Sequence, residues 1–253
     1  MAEKNVQVEV TKTGTTTLAT AGKYCDRNID INTDKVYAAG KQAQNDAFWN
    51  SGQSNGKATY LPYFFAGGLW NATTFKPKYD IKPKGLCTGL FRQSNLSDLK
   101  GILENQNVIL DTSQATNLND FGSYNKFTRV PKVDLTNVGN KTSQLFANNA
   151  GSSRLVHIDE LVVSATTQFT ASTSFINCDK LEHVIFSGVL GTNGLDLHWS
   201  TLLDQESLRS IINILQDKTS VGGTWTVTLG AENLAKLTDA EKAIATQKGW
   251  TLA

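Results

Sequence analysis

Long apolar runs are missing from this chain: nowhere do about 18 apolar residues occur together, the length a helix needs to cross a bilayer. No membrane insertion is expected. Charge of one sign is also missing, with 24 Lys and Arg against 23 Asp and Glu, so no overall field draws in nucleic acid or an anionic surface. A nucleic-acid partner is not expected. Cys25, Cys87 and Cys178 are few, far apart and without a CxxC pair, which points to reduced packing residues and to neither a disulfide framework nor a zinc site. The opening "MAEKNVQVEV" lacks the cationic segment and apolar run of a secretory leader, so none is expected. Only four Pro and one Met are present, and the weight falls on Thr, Asn, Ser and Gly. That balance suits many short strands and turns better than a helical bundle.

What is there is a repeat. The segment "FINCDKLEHVIFSG", 175 to 188, opens on a phenylalanine with counterparts at Phe146, Phe121 and Phe91, at separations of 29, 25 and 30 residues, and at Phe65 a further 26 back. A polar stretch follows each anchor, then an apolar triplet. The triplets Leu96, Leu99, Ile102, then Phe127, Val130, Val133, then Leu155, Ile158, Leu161 share the offsets +3 and +6, and Leu135 and Val163 follow at +8. In the unit at 175, Leu181 and Val184 keep the first step before the turn is cut short. A unit of this length cannot bury its own apolar face, so successive units are expected to stack and share one core, with the four phenylalanines in an internal column. Val133/Leu135 and Leu161/Val163 alternate as strand residues facing inward, with Asp134 and Val162 pointing the other way.

These units resemble the BspA-type leucine-rich repeats, in which a phenylalanine, a cysteine, a leucine and an isoleucine precede a short strand. The resemblance rests on Phe175, Cys178, Leu181 and Val184, and more loosely on Phe121/Phe127/Val130 and Phe146/Leu155/Ile158. It implies a strand-rich α+β fold, a short irregular leucine-rich-repeat solenoid over 65–199 that Pro131 interrupts once.

The ends read differently. Residues 1–35 alternate Val6, Val8, Val10 and then Ile29, Ile31, which predicts a small β-strand attachment module. Its stretch "GTTTLATAGKYCDRNIDIN" is similar to segments of bacteriophage and prophage structural proteins. Residues 36–64 contain an amphipathic helix capped by Asp34 and ending at Phe48 and Trp49, expected to cover the first repeat. From 200 to 253, Leu208, Ile211, Ile212 and Leu215 define one helix and Trp225, Val227 and Leu229 a strand. A second helix follows, with Thr238 or Asp239 as cap and Gly249 as stop. This α/β segment is expected to cover the last repeat.

Chemistry is sparse. His157 and His183 occupy equivalent places, so stacking would bring them together; a metal pair is conceivable, and outward polar positions are the simpler reading. Asp159, Glu160 and Glu182 offer carboxylates for glycoside hydrolysis without any motif that singles them out. "GVLGTNG" at 188 to 194 lacks the Lys-Ser/Thr of a phosphate loop and reads as a turn. Asn71, Asn95 and Asn140 match the glycosylation pattern and carry no weight without a leader. No catalytic residue and no cofactor is expected. The partner-binding residues expected on the outward face are Arg129, Lys132 and Asp134 on one repeat, His157 and Glu160 on the next, and Glu182 and His183 on the third. The resemblances together imply a non-catalytic virion component of the tail, baseplate or fibre, located in the virion and homo-oligomeric within it. Its expected partners are other virion proteins or a host-surface protein or glycan. The alternatives are a bacterial cell-surface adhesin and, more remotely, a glycan-acting enzyme.

Overall fold

The computed structural model describes residues 80–253 apart from 84, 94–95, 140–141 and 171–172. The expected N-terminal strands, the helix after Asp34, Phe65, Cys25, and the acceptor positions Asn71, Asn95 and Asn140 lie outside the described residues. The described chain mixes short helices with small sheets, and no closed barrel occurs among these residues. In order, the elements are β1 (Gly85–Leu86), α1 (Leu99–Asn105), β2 (Ala115–Asn117), β3 (Arg129–Val130), β4 (Val133–Asp134), β5 (His157–Val163) and β6 (His183–Gly188). Then come α2 (Gln205–Ile214), β7 (Trp225–Val227), α3 (Ala231–Leu234), α4 (Asp239–Gln247) and β8 (Trp250–Leu252).

Every strand pairing is parallel, and the register reproduces the sequence repeat. Val130 sits opposite Ile158 and Val133 opposite Leu161, so one offset aligns β3 and β4 with β5. Pro131 and Lys132 separate β3 from β4 because proline has no N–H for the ladder. On the other side of β5, Ile158 pairs with Val184 but Leu161 pairs with Phe186, a one-residue bulge. That bulge is the physical form of the shortened fourth unit: the strand with the extra residue bends so that both inward phases stay aligned.

The core follows from this register. Phe91, Phe121, Phe146 and Phe175 are almost fully buried, and their ring centroids step by 5.4, 5.8 and 5.8 Å along a single column. The first two contacts are edge-to-face, the arrangement the ring quadrupole favours, each contributing about 0.5–1.5 kcal/mol beyond area burial. The turns that carry these rings are tied together through the backbone. Phe91 N–H donates to Phe121 O at 2.8 Å, Tyr124 N–H to Ala147 O at 2.8 Å, and Phe146 N–H to Ser174 O at 2.9 Å. Asparagines complete the ties: Asn148 Nδ2 donates to Asn125 O at 3.2 Å and Asn177 Nδ2 to Asn148 O at 2.9 Å. Peptide groups that would otherwise be buried without partners are satisfied by the neighbouring unit.

One unit departs from the strand pattern. The triplet beginning at Leu96 runs into a helix, because Asp98 accepts the Gly101 N–H at 2.9 Å and caps α1. Offsets of +3 and +6 fit one helical face as well as they fit a bent strand. Past residue 200 the same parallel contacts continue, with Leu190 opposite Leu215, Asp196 opposite Thr228, and β7 on β8. Helix α2 lies against β6, whose Val184 and Phe186 N–H groups donate to Ser207 Oγ at 2.9 Å and Ser210 Oγ at 3.0 Å. Helix α4 has the full reciprocal cap between Thr238 and Glu241. Gly188 closes β6 at φ +88°, where a side chain would strike Val163 O, so this turn demands glycine.

Replacing Phe121 with alanine removes a ring lodged between two others and is expected to cost about 3–5 kcal/mol. Urea unfolding followed by far-UV circular dichroism measures it; a loss below about 1 kcal/mol would show that the column does not hold the units together.

Candidate functional site

The parallel register also aligns what points outward. Arg129 lies opposite His157, and His157 opposite His183, so three basic groups form a row across β3, β5 and β6. The two imidazoles stack with centroids 4.5 Å apart and planes 13° from parallel. Like groups at strand spacing repel when charged, and each member of the row has a carboxylate partner. Arg129 Nε donates to both Asp98 oxygens at 3.1 Å. His157 Nε2 bonds Asp159 Oδ1 at 2.9 Å, and Asp159 also takes Lys100 Nζ at 2.7 Å. His183 Nδ1 bonds Asp204 Oδ2 at 2.6 Å.

Two of these partners have a second task. Asp98 caps α1, and Asp204 caps α2 through Ser207 N–H at 2.8 Å. Partial burial pushes both carboxyls up, but the hydrogen bonds and charges of Arg129 and Gly101 on Asp98, and of His183 and Ser207 on Asp204, outweigh it and hold both below the usual carboxylate value. The row is thereby fastened at each end to the start of a helix.

A second row lies beside the first. Lys132 Nζ stands 3.1 Å from Glu160 Oε2, and Ser187 Oγ donates to Glu160 Oε1 at 2.6 Å. The Ser187 hydrogen bond, followed by Lys132, keeps the Glu160 carboxyl low. A general acid for glycoside hydrolysis needs a shift in the opposite direction. Asp134 is half-buried, accepts Thr136 N–H at 2.8 Å, and its peptide N–H donates to Thr112 Oγ1 at 2.7 Å. Glu182 is exposed, and its carbonyl accepts Asp204 N–H at 2.7 Å. The structure therefore brings Arg129, His157 and His183 together, joins Lys132 to Glu160, and leaves Glu182 at the margin.

Beside the rows, a cleft of about 430 Å³ opens between α1 and the edge of β4. Its floor is apolar, from Leu103, Val108 and Leu110, and its rim carries Lys100, Lys132, Glu104, Asp111, Asp134 and Asp159. Sequence reading did not find it, because it arises where a helix replaces a strand. Lys100 and Asp98 were equally hidden; the Asp98-Leu99-Lys100-Gly101 stretch carries an N-cap signal that only a helical reading would use.

Neither of the described cysteines is placed for covalent chemistry. Burial pushes the Cys87 thiol up to about 12 and the Cys178 thiol higher still, so both remain protonated packing groups. Cys178 Sγ instead donates to Phe146 O at 3.2 Å, within the core. Among the described residues no group of three or more His, Cys, Asp or Glu side chains is placed to hold a metal ion, and no helix is long and apolar enough to cross a membrane. No protein family, curated protein or solved structure matches the chain.

Asp204 joins the row to α2, so its loss tests both. The Asp204→Ala variant is expected to lose about 1 kcal/mol as a missing N-cap, and Asp204→Asn, which can still cap, clearly less. Because the folded carboxyl lies below its unfolded value, its contribution is complete above about pH 4 and fades as the pH falls through the folded value. The gap in urea midpoint between wild type and Asp204→Ala should be narrower at pH 3 than at pH 7; a constant gap would separate Asp204 from the acid sensitivity.

Proposed function

We propose that the protein is a non-catalytic attachment and scaffold component of a phage virion, at the tail, baseplate or fibre. In this reading the repeats form a short, irregular leucine-rich-repeat solenoid of BspA type. The observation that carries it is the register of the outward side chains: Arg129, His157 and His183 occupy one line because their strands are parallel and offset by whole units. A surface built this way is broad and held from beneath by a common core, which suits recognition of another macromolecule better than enclosure of a small substrate. The ion pairs of the rows are partly exposed, and pairs of this kind contribute only about 0–1 kcal/mol each to stability. Their greater effect is on orientation and choice of partner.

The residues assigned to partner contact are Arg129, Lys132, Asp134, His157, Glu160, Glu182 and His183, the outward positions of three successive units. The phage assignment draws on the resemblance of the N-terminal segment, and homo-oligomerisation follows from the symmetry of tails and fibres. Particles purified from the source lysate by density gradient, then quantified by mass spectrometry, should contain the chain at a fixed copy number. Deletion of residues 1–35 should remove it from the particles. Recovery only from a protease-shaved cell surface would replace the virion with the surface-adhesin reading.

A further inference from the structure

Among the described residues, the cleft beside the rows has more carboxylates than ammonium groups. Its rim holds four carboxylates, Glu104, Asp111, Asp134 and Asp159, against two ammonium groups, Lys100 and Lys132. Both lysines are committed: Lys100 is 2.7 Å from Asp159, and Lys132 is 3.1 Å from Glu160, outside the cleft. Glu104 stands 3.8 Å from Lys100 and also feels the charge of Arg129. Asp111 and Asp134 each use one oxygen on a backbone N–H, of Ser113 and Thr136, and neither has a cationic partner among the described residues.

Apolar surface accompanies this acidity. Ile109 is 55% exposed, the most exposed large aliphatic side chain among the described residues, and it lines the cleft. One wall is the edge of β4, where Pro131 and Lys132 interrupt the ladder. The Asp134 N–H and C=O on that edge are both taken by the Thr112 hydroxyl, so what the cleft offers a partner is side chains: carboxylates that accept a cation and an exposed aliphatic group that accepts an apolar neighbour of that cation.

We propose that this cleft seats a lysine-bearing segment of a partner protein, with the ammonium group among Glu104, Asp111 and Asp134 and an aliphatic side chain two residues from the lysine on Ile109. The assignment deepens the attachment reading and rests on it, since it names the partner chemistry of the same face. In an extended segment a lysine and an aliphatic residue two positions apart face the same side, because every second side chain of a strand points one way.

The test is fluorescence anisotropy with the full chain and two dye-labelled nine-residue peptides, one with lysine and valine taking turns at every second position and serine between them, and one with glutamate in place of each lysine. The lysine peptide should bind, and the glutamate peptide should bind at least about tenfold more weakly. The triple variant Glu104→Gln, Asp111→Asn, Asp134→Asn keeps the amide oxygens that accept Ser113 and Thr136 N–H, and it should weaken the lysine peptide by about tenfold, the equivalent of two or three partly exposed ion pairs. Ile109→Ser should weaken it independently, and thermal melts should show all variants folded. Equal binding of the two peptides, or undiminished binding by the folded triple variant, would overturn the assignment. Particle association is read separately, so a cleft that ignores the lysine peptide on a chain that still joins particles removes the cleft's ligand and leaves the scaffold role standing.

Discussion

The phenylalanine column is the constraint on which the rest depends. A segment of 25–30 residues has only a few large apolar groups, too little to form a core alone. The rings solve this by lodging against their neighbours, and contact at 5.4–5.8 Å fixes how far one unit can slide along the next. The backbone then locks that position, since the N–H groups of Phe91, Tyr124 and Phe146 each find a carbonyl in the adjacent unit. The asparagine ties from Asn177 to Asn148 and from Asn148 to Asn125 work in the same direction. A slip by one residue would break all of these together and turn inward groups outward.

Because the register is fixed from inside, the outside is fixed as well. Arg129, His157 and His183 did not have to be brought together by their own attraction, which as basic groups they lack; the strands beneath them impose it. Aspartates then make the imposed neighbourhood tolerable, and two of them do so from helix N-caps. This couples the polar row to the placement of α1 and α2. A change at Asp98 or Asp204 therefore alters a helix start and a surface charge at once.

Much of this was legible in the sequence, for a physical reason: a period shared by large apolar residues has only one economical use. The column, the inward triplets, the proximity of His157 and His183, the shortened fourth unit and the C-terminal helix with its Thr238 cap all follow from spacing. The helical form of the unit after Leu96 did not, because offsets of +3 and +6 do not distinguish a helix from a bending strand. Nor did the roles of Asn148 and Asn177. Asparagine reads as a turn residue on local grounds, while the carbonyls it serves lie some 23 and 29 residues away. Side chains that bond across units leave no mark within their own unit. The cleft escaped notice for the same cause, being the gap left where two kinds of unit adjoin.

The two edges of the central sheet end by a common device. At β6, the N–H groups of Val184 and Phe186 donate to Ser207 and Ser210 on α2. At β4, Thr112 Oγ1 accepts the Asp134 N–H at 2.7 Å and donates to Asp134 O at 3.0 Å. A hydroxyl both accepts and donates, so it can close a ladder without presenting a further strand as a template for aggregation. The closure at β6 is broad, because a whole helix covers it, whereas at β4 a single threonine does the work and Pro131 guards the rest by having no N–H to offer. The edge with the narrower closure is the one that borders the cleft and its carboxylates. Both edges are closed to a further strand, so any contact made at the cleft falls to its side chains, the carboxylates and the exposed Ile109, and not to the ladder.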